Sequence, residues 1–353
     1  MAKKILVVDD SALIRKELGR LLTGEGFEVE TAKNGQEALD KVLENNFDAI
    51  TLDINMPVMD GLTALKQIMK KKPTPTVMVS SLTQGDADTT FEALDYGAVD
   101  FVGKPGTITL RLNETAHDIV AKVKAAAYMP KNRLKIRKAG NIIKSDLNKP
   151  PVKKTAQRFS KADKVILIGS STGGPGLIEK IVTLVPADYP YPICIIQHMP
   201  DTFTRKFAQR LDGLSSLNVI EAKSNDVICQ GKIIIGKGGY HFQFSKKASG
   251  TVNVKLGINS AKRFFVPSVD EMFLSASQSF KCENIMAIEL TGIGDDGAQG
   301  MLELKNKGAY TIAESKETAT IYGMPRAAYE NGGTVEVLPF PDILKKILSF
   351  AGK

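Results

Sequence analysis

The first 125 residues alternate short apolar runs with segments in which apolar residues recur every three or four positions. The runs have the length of buried strands, and the segments between them have the period of amphipathic helices. Five such alternations predict a parallel sheet covered by helices on both faces. The predicted strands are residues 5–8, 27–31, 49–52, 77–79 and 100–102, and the predicted helices are residues 11–23, 38–43, 62–69, 86–96 and 110–127.

A second alternation of the same kind starts at residue 165 and continues toward the C-terminus. A polar, glycine-rich stretch over residues 236–260 interrupts it and is typical of a hairpin. We therefore predict an α/β protein with two doubly wound parallel-sheet domains. The predicted strands of the second domain are residues 165–168, 193–196, 233–235, 286–290 and 335–337, and its predicted helices are residues 176–184, 202–211, 269–279 and 298–307.

The segment between the two alternations, from residue 129 to about 163, has neither period. It contains Pro130 and the pair Pro150 and Pro151, which favour extended backbone, so we predict an exposed linker. The predicted organisation is a first domain over residues 1–128, a linker over residues 129–162 and a second domain over residues 163–353.

The net charge of +8 is carried by the predicted linker. Residues 131–163 hold 11 Lys or Arg and two Asp, which leaves 36 basic and 37 acidic residues in the rest of the chain. Nucleic-acid binding requires basic residues clustered on a folded face, so this distribution argues against it. A solvated basic tether is the simpler interpretation, and a docking role for the linker is the alternative.

Composition excludes several other classes of protein. Hydrophobic residues make up 43% of the chain and charged residues 24%, which are globular values. No apolar run approaches the roughly 20 residues of a membrane-spanning helix, and the N-terminal apolar run is too short for a signal peptide. We therefore expect a cytoplasmic protein without membrane insertion. The three cysteines form no CxxC or Cys/His cluster, so neither a zinc site nor a disulfide framework is predicted.

Charged and hydroxyl side chains follow four predicted strands of the first domain. Asp9 and Asp10 follow the first strand, Asp53 the third, Ser80 the fourth and Lys104 the fifth. The carboxyl ends of parallel strands share one edge, where three carboxylates repel unless a cation such as Mg²⁺ neutralises them. In isolation the two neighbouring aspartates would be read as caps of the next helix, but the set favours a phosphoryl-binding cup.

These positions carry the motifs of a known domain family. The first 125 residues resemble a response-regulator receiver domain, and this resemblance implies that Asp53 is the phosphoacceptor. It also implies that Mg²⁺ is bound by Asp10, Asp53 and the carbonyl of Asn55, with Asp9 in support. The matching residues are Val7-Val8-Asp9-Asp10-Ser11, Leu52-Asp53-Ile54-Asn55-Met56-Pro57-Val58-Met59-Asp60-Gly61, Val79-Ser80 and Lys104-Pro105.

The same resemblance implies a signalling role for three more residues. Ser80 and Lys104 would sense the phosphoryl group, and Phe101 stands at the family's aromatic switch position. The implied phosphodonor is a chemotaxis histidine kinase.

A turn of small residues follows the first strand of the second domain. Residues 169–173, Gly-Ser-Ser-Thr-Gly, fit the pattern G-x-S-x-G, which centres a nucleophile on Ser171. Small flanking residues permit a strained turn that exposes the hydroxyl, and the next helix offers N–H donors for an oxyanion. A phosphate-binding loop before a helix has a similar composition, and the turn by itself supports both interpretations equally.

A serine nucleophile needs a base, and the chain has three histidines. His198 follows the strand at residues 193–196, about one strand–helix unit after Ser171, so both side chains are expected at the same sheet edge. A structural histidine is the alternative there. His117 is placed on the last helix of the first domain, and His241 is placed in a loop away from any strand end.

The residue that orients the base is expected at a third strand end. The strand at residues 285–290 leads into a glycine-flanked pair, Asp295 and Asp296, either of which could orient His198. A plain turn with a helix cap is the alternative. The order Ser, His, Asp along the chain differs from that of α/β-hydrolases, so an ordinary esterase of that fold is not predicted.

The second half of the chain resembles the catalytic domain of the chemotaxis methylesterase, the protein-glutamate methylesterase family. This resemblance implies that Ser171 is the nucleophile, His198 the base and Asp296, rather than Asp295, the orienter. The matching runs are Ile168-Gly169-Ser170-Ser171-Thr172-Gly173-Gly174, Gln197-His198-Met199-Pro200, Phe207-Ala208-Gln209-Arg210-Leu211-Asp212, Pro267-Ser268-Val269-Asp270, Leu290-Thr291-Gly292-Ile293-Gly294-Asp295-Asp296-Gly297-Ala298 and Tyr322-Gly323-Met324-Pro325-Arg326-Ala327-Ala328.

The resemblance places the oxyanion donors at Thr172 and Ile293. Ile293 stands where the family usually has Met, and a backbone donor survives that change. Ser170 stands where the family commonly has Ala, which exchanges one small residue for another. The implied protein is a phosphorylation-activated hydrolase that removes methyl esters from glutamates of methyl-accepting chemoreceptor cytoplasmic domains and deamidates receptor glutamines. Mg²⁺ is implied for phosphorylation, and no cofactor for ester hydrolysis. The alternatives are a non-catalytic regulator whose C-terminal domain binds a nucleotide or partner and, less in keeping with the charge distribution, a DNA-binding regulator.

Overall fold

A computed structural model describes residues 2–80, 84–104, 112–130, 134, 164–258 and 263–350. The chain divides into two compact units, Met1–Lys149 and Pro150–Lys353. Nearly all of the predicted linker lies outside the described residues, so its structure and the predicted domain bounds stay predictions. In the part of the chain that is described, no helix is both long enough and apolar enough to cross a membrane.

The first unit is a five-stranded parallel sheet in the order β2-β1-β3-β4-β5. The order reverses direction beside β1, and such a switch point opens a crevice at the carboxyl ends of the strands. The strands are β1 (Lys4–Val8), β2 (Glu28–Ala32), β3 (Ala49–Asp53), β4 (Thr76–Ser80) and β5 (Asp100–Gly103). The helices are α1 (Ala12–Gly24), α2 (Gly35–Glu44), α3 (Gly61–Lys71), α4 (Gln84–Asp95) and α5 (Leu112–Tyr128).

Local sequence explains why these elements begin where they do. Ser11, Asn34 and Asp60 each stand just before a helix, and each side chain accepts a hydrogen bond from a backbone N–H of its first turn. The central strands β1 and β3 are almost wholly buried because helices cover both faces of the sheet. The prediction of a five-stranded α/β domain is therefore confirmed.

The second unit is a seven-stranded parallel sheet in the order β14-β13-β12-β6-β7-β9-β8, with a separate antiparallel hairpin of β10 and β11. The strands are β6 (Val165–Ser170), β7 (Ile193–Gln197), β8 (Asn218–Glu221), β9 (Lys232–Ile235), β10 (His241–Lys246), β11 (Val252–Gly257), β12 (Ile285–Glu289), β13 (Tyr310–Glu314) and β14 (Glu336–Leu338). The helices are α6 (Gly174–Leu184), α7 (Asp201–Leu214), α8 (Val269–Ser279), α9 (Ala298–Asn306), α10 (Met324–Glu330) and α11 (Phe340–Ser349).

The strand register places three strand ends side by side. Gly169 of β6 lies opposite Ile196 of β7 on one side and Glu289 of β12 on the other. The turns that follow β6, β7 and β12 therefore meet at one edge of the sheet. The hairpin predicted within residues 236–260 is confirmed. Its strands pack the buried Phe242 and Val254 into the hydrophobic core of the second unit.

The hydrophobic pattern missed four elements of the second unit. The strand β8 lies at the sheet edge with only Val219 buried, so it lacks an apolar run. The strand β13 buries the polar Thr311 and Glu314, which makes a central strand look like a surface segment. The other two missed elements, α10 and α11, are short helices near the C-terminus, each with a proline in its first turn.

Candidate phosphorylation site and candidate active site

The first unit brings charged residues together at the ends of β1, β3 and β5. Carboxylate oxygens of Asp9, Asp10 and Asp53 lie within 4.8 Å of one another, and Asp9 and Asp53 are buried. The Nζ atom of Lys104 is 3.0 Å from Oδ2 of Asp9 and 2.8 Å from Oδ2 of Asp53. The sheet edge thus assembles the acidic cluster and the lysine that the sequence placed there.

The electrostatics of this cluster fit a hard cation. Burial raises the pKa of Asp53 despite the opposing effect of Lys104, and Asp9 raises it further. The two carboxylates in turn raise the pKa of Lys104, although burial lowers it. Three carboxylates around one point are the oxygen donors that Mg²⁺ prefers, and one lysine balances only part of their charge.

The remaining residues of the predicted signalling set are placed as follows. Ser80 ends β4 opposite Gly103, and its side chain is outside the described part of the chain. Phe101 is fully buried in β5, where Nζ of Lys122 donates a 2.9 Å hydrogen bond to its carbonyl. Asn55 follows β3 and is exposed.

The second unit holds Ser171 in the turn between β6 and α6. The N–H of Ser171 donates to the carbonyl of Thr291 at 3.0 Å, and Nε2 of Gln197 donates to the carbonyl of Ser171 at 2.9 Å. Gly173 has a φ of 83°, and a Cβ there would lie 2.6 Å from the Thr320 side chain, so this turn requires glycine. Hydrogen bonds from two neighbouring strands therefore fix the position of Ser171.

The structure corrects the expectation that a strained turn exposes this serine. Ser171 is only 2% exposed. The backbone of Gly292 in the neighbouring turn approaches it so closely that a Cβ added at Gly292 would lie 2.9 Å from the Ser171 Cβ. The left-handed residue of the turn is Gly173 rather than Ser171. Such a close approach leaves room for Gly and for little else at position 292.

His198 and Asp296 form a buried pair at the same sheet edge. His198 follows β7, and its backbone N–H donates to the Ser170 carbonyl at 3.0 Å. Its Nε2 atom lies 2.8 Å from Oδ2 of Asp296. Because a carboxylate only accepts, this contact places the proton of the neutral imidazole on Nε2 and leaves Nδ1 as the basic atom. Within the described residues, the buried Nδ1 atom has no hydrogen-bond partner.

Asp296 is held by the N-terminus of α8 as well as by His198. Its carboxylate accepts hydrogen bonds from Ser268 Oγ at 2.7 Å and from the N–H groups of Val269 and Asp270 at 2.7 and 3.1 Å. Burial alone would raise the pKa of Asp296, but these donors and His198 hold it below its usual value. An ionised Asp296 is therefore favoured beside the imidazole.

Asp295, which the spacing could not separate from Asp296, is differently placed. It is exposed, and its carbonyl accepts a 3.1 Å hydrogen bond from the N–H of Ala298 in the first turn of α9. The glycines on either side, Gly294 and Gly297, have φ values of 86° and 99°. These left-handed positions turn the chain so that the second aspartate of the pair, and not the first, reaches the histidine.

The two residues predicted as oxyanion donors both flank Ser171. Thr172 follows it in the chain, and its carbonyl accepts a 2.8 Å hydrogen bond from Thr291 Oγ1. Ile293 follows Gly292, whose Cα packs against the Ser171 side chain. The structure therefore brings both backbone positions close to Ser171, from two different turns.

His241 is placed differently from the sequence prediction. It begins the strand β10, is buried, and its Nδ1 accepts a hydrogen bond from the N–H of Ser268 at 3.2 Å. The prediction of a loop position away from any strand end was wrong, since the hairpin begins at this residue. His241 thereby supports the residue that binds Asp296. His117 lies on α5, as predicted.

Two residues next to the His198–Asp296 pair were not predicted from the sequence. The ring of Phe265 stacks on the imidazole of His198, with centroids 3.9 Å apart and planes at 10°. The carboxyl of Glu289 is fully buried, and no hydrogen-bond partner for it occurs among the described residues. Burial raises the pKa of Glu289 well above its usual value, and Asp296 and Asp270 raise it further. For Phe265, the only signal in the sequence was an aromatic pair in a polar loop. For Glu289, it was an acidic residue at the end of an apolar strand.

Comparisons with known proteins agree with this geometry. Residues 166–347 match the family described as CheB methylesterase, and residues 5–114 match the response regulator receiver domain. A protein-glutamate methylesterase/protein-glutamine glutaminase 2 of Carboxydothermus hydrogenoformans is 44% identical over 350 residues, covering 98% of both chains. A protein-glutamate methylesterase/protein-glutamine glutaminase of Archaeoglobus fulgidus is 44% identical over 348 residues, covering 98% of this chain and 97% of the relative.

The second unit also resembles a solved structure. The crystal structure of the Thermotoga maritima CheB methylesterase catalytic domain is 36% identical, covers 53% of this chain and 98% of its own, and has a TM-score of 0.51. The two 44% identical relatives align with 98% of this chain, and therefore across both of its units. The chain therefore belongs to the CheB methylesterase family, whose catalytic domain it joins to an N-terminal response regulator receiver domain.

Proposed function

We propose that the chain hydrolyses methyl esters of glutamate side chains on the cytoplasmic domains of methyl-accepting chemoreceptors. The names of its full-length relatives support this activity and also the hydrolysis of glutamine side chains. The single observation that carries the proposal is the hydrogen-bonded His198–Asp296 pair at the sheet edge that also holds Ser171, with the Nδ1 atom of His198 left as the basic position. A purely binding role, the alternative considered from the sequence, gives no reason for such a pair.

The residues divide the first half of the reaction as follows. Nδ1 of His198 takes the proton of Ser171 Oγ as that oxygen attacks the ester carbonyl, while Asp296 holds the Nε2–H and stabilises the imidazolium. The backbone N–H groups of Thr172 and Ile293 stabilise the negative oxygen of the tetrahedral intermediate. The intermediate collapses, the C–O bond to the methoxy group breaks, and His198 returns the proton so that methanol leaves.

The second half releases the glutamate. Water attacks the glutamyl ester of Ser171 and gives its proton to His198, which then returns it to Ser171 Oγ as the acyl bond breaks. A glutamine side chain follows the same path with ammonia as the leaving group. No cofactor enters either half, because each proton and electron pair is carried by Ser171, His198 or water.

The receiver unit would control this activity through Asp53. We propose that Asp53 accepts a phosphoryl group from a chemotaxis histidine kinase, with Lys104 and Ser80 sensing the group and Phe101 repacking in response. Asp9, Asp10, Asp53 and the carbonyl of Asn55 would hold Mg²⁺. When bound, Mg²⁺ supplies positive charge against the carboxylates and the incoming phosphoryl oxygens.

Methanol release from methylated receptor membranes tests the proposal. The full chain should release methanol faster in the presence of a small-molecule phosphodonor and Mg²⁺. Ser171→Ala should lower the rate by at least about 10⁴-fold, because the bond-forming oxygen is lost. Ser170→Ala is the matched control, because the hydroxyl of Ser170 donates to Gln197 and not to the reacting groups. Unchanged release by Ser171→Ala would overturn the proposed nucleophile.

A further inference from the structure

Phe265 covers one face of the His198 ring. The two rings are nearly parallel, at 10°, and their centroids are 3.9 Å apart. Phe265 stands three residues before Ser268, whose hydroxyl binds Asp296. One short segment therefore contacts the imidazole on its face and holds the carboxylate that contacts its edge.

A ring centroid 3.9 Å away leaves no space for the imidazole to tilt toward the phenyl ring. The contact therefore limits the orientation of the imidazole on the face that Asp296 does not touch.

We propose that Phe265 is a positioning residue for His198. Resting on the proposed function, this inference states that the phenyl ring limits the tilt of the imidazole, so that Nδ1 is kept available to take the proton of Ser171 Oγ. Asp296 fixes one edge of the imidazole, but a single hydrogen bond still permits the ring to turn about it. The face contact removes that freedom.

The neighbouring Phe264 provides a matched control. Its ring stands edge-on to Phe265, with centroids 4.8 Å apart and planes at 88°, and it is 53% exposed. Phe264 therefore shares the loop and the residue type of Phe265 but not its position over the imidazole. Replacement by leucine makes the same chemical change at either position.

The experiment compares Phe265→Leu, Phe265→Tyr and Phe264→Leu in the full chain, with phosphodonor and Mg²⁺ present. Phe265→Leu should lower kcat for methanol release by about 10- to 100-fold with KM changed less than about twofold, because the base is misplaced while the substrate site is kept. Phe265→Tyr keeps a planar ring and should restore kcat to within about threefold. Phe264→Leu should stay near the unmodified rate.

A serine-directed fluorophosphonate separates this inference from the proposed substrate. The probe reports activation of Ser171 by His198 and needs no receptor, so Phe265→Leu should be labelled about 10- to 100-fold more slowly than the unmodified chain. If the unmodified chain were labelled but released no methanol, the substrate would be wrong and labelling would still test Phe265. Equal kcat and labelling rates for Phe265→Leu and Phe264→Leu, or a Phe265→Tyr variant as slow as Phe265→Leu, would overturn the inference. An unmodified chain that is neither labelled nor active would overturn both.

Discussion

The two candidate sites lie at the same kind of sheet edge but balance their charges differently. In the first unit, Asp9 and Asp53 are buried against each other and share one lysine, so the site holds excess negative charge. In the second unit, the carboxylate of Asp296 accepts hydrogen bonds from His198, Ser268 and the N-terminus of α8. The first arrangement suits a site that takes up a cation and a phosphoryl group, whereas the second suits a base that must keep one geometry through many turnovers.

The backbones of the two sites also differ in how they turn. Each left-handed turn next to the candidate active site uses glycine, at positions 173, 294 and 297. The loop after Asp53 instead places Val58 at a φ of 69° with 84% of its surface exposed. A β-branched residue in that region is strained. The loop beside Asp53 therefore stores strain in its backbone. In the candidate active site the unfavourable feature is instead the Glu289 carboxyl, which is buried without a hydrogen-bond partner among the described residues.

Among the changes that compare the two sites, the largest effect is expected at Asp296, the hydrogen-bonded carboxylate. Asp296→Asn should lower the rate of methanol release by about 10³- to 10⁴-fold, because an amide that donates to Nε2 would stabilise the tautomer with its proton on Nδ1. Asp295→Asn should change the rate less than about threefold, since that side chain is exposed. Steady-state rates of the two variants check the difference. Comparable losses at both positions would remove the assignment of Asp296 as the orienting residue.

The next largest effect is expected from the control of methanol release by phosphorylation of Asp53. We expect low activity from the full chain without phosphodonor and activity about 5- to 150-fold higher from a fragment starting near Asp163, which is the usual range of coupling between two sites. Asp53→Asn should abolish activation of the full chain by phosphodonor and leave the fragment chemistry untouched. Methanol release measured on all three proteins tests this. A fragment no faster than the unphosphorylated full chain would contradict inhibition and favour recruitment of the enzyme to receptors.

Glu289 predicts a pH dependence of stability with a definite sign. The folded state keeps a proton on this buried carboxyl that the unfolded chain releases above about pH 4.5, so the free energy of unfolding falls as pH rises from there toward the folded pKa. The slope is up to about 1.4 kcal/mol per pH unit. Glu289→Gln stays neutral and should therefore be stabilising, by an amount that is small near pH 5 and grows toward pH 8.

The neighbouring strand offers a control for Glu289. Glu314 is also fully buried, but its carboxylate accepts hydrogen bonds from the N–H of Thr291 at 2.9 Å and from Thr318 Oγ1 at 2.8 Å. Glu314→Gln would direct an amide group at one of these donors and should destabilise the fold across the pH range. Urea unfolding of both variants at pH 5, 6.5 and 8 makes the comparison. A Glu289→Gln variant whose stability follows that of the unmodified chain at every pH would show that Glu289 does not hold the proton.

The smallest effect is expected at the strained loop. The N–H of Met59 donates to the carbonyl of Pro57 at 2.8 Å, which closes a three-residue turn around Val58. Val58→Asn should raise the free energy of unfolding by about 0.5–1 kcal/mol, because asparagine tolerates a positive φ better than a β-branched residue does. Val335→Asn is the control, since Val335 is half exposed at an ordinary φ. Thermal melting that ranks the two variants equally would show that the turn around Val58 holds no strain.

The sequence by itself determined the two α/β units and predicted the residues proposed for both sites, apart from Phe265 and Glu289. The apolar runs identified the strands, and the polar residues that follow them had to meet, because parallel strands end at one edge. Family motifs distinguished Asp296 from Asp295, which spacing left equivalent. Periodicity failed where a strand carries buried polar residues, as at Thr311 and Glu314, since burial of such groups depends on partners elsewhere in the chain.

Only the tertiary structure decided which atoms of the candidate active site touch. It placed Asp296 on Nε2 of His198, closed Gly292 over Ser171, moved His241 into a strand and brought Phe265 onto the imidazole. These contacts join residues from 27 to 121 positions apart, through turns whose shape depends on left-handed glycines and on the helix N-terminus that donates hydrogen bonds to Asp296. Local pattern records which residues reach the sheet edge, but the distances among them arise from the packing of separate loops, which no short stretch of sequence encodes.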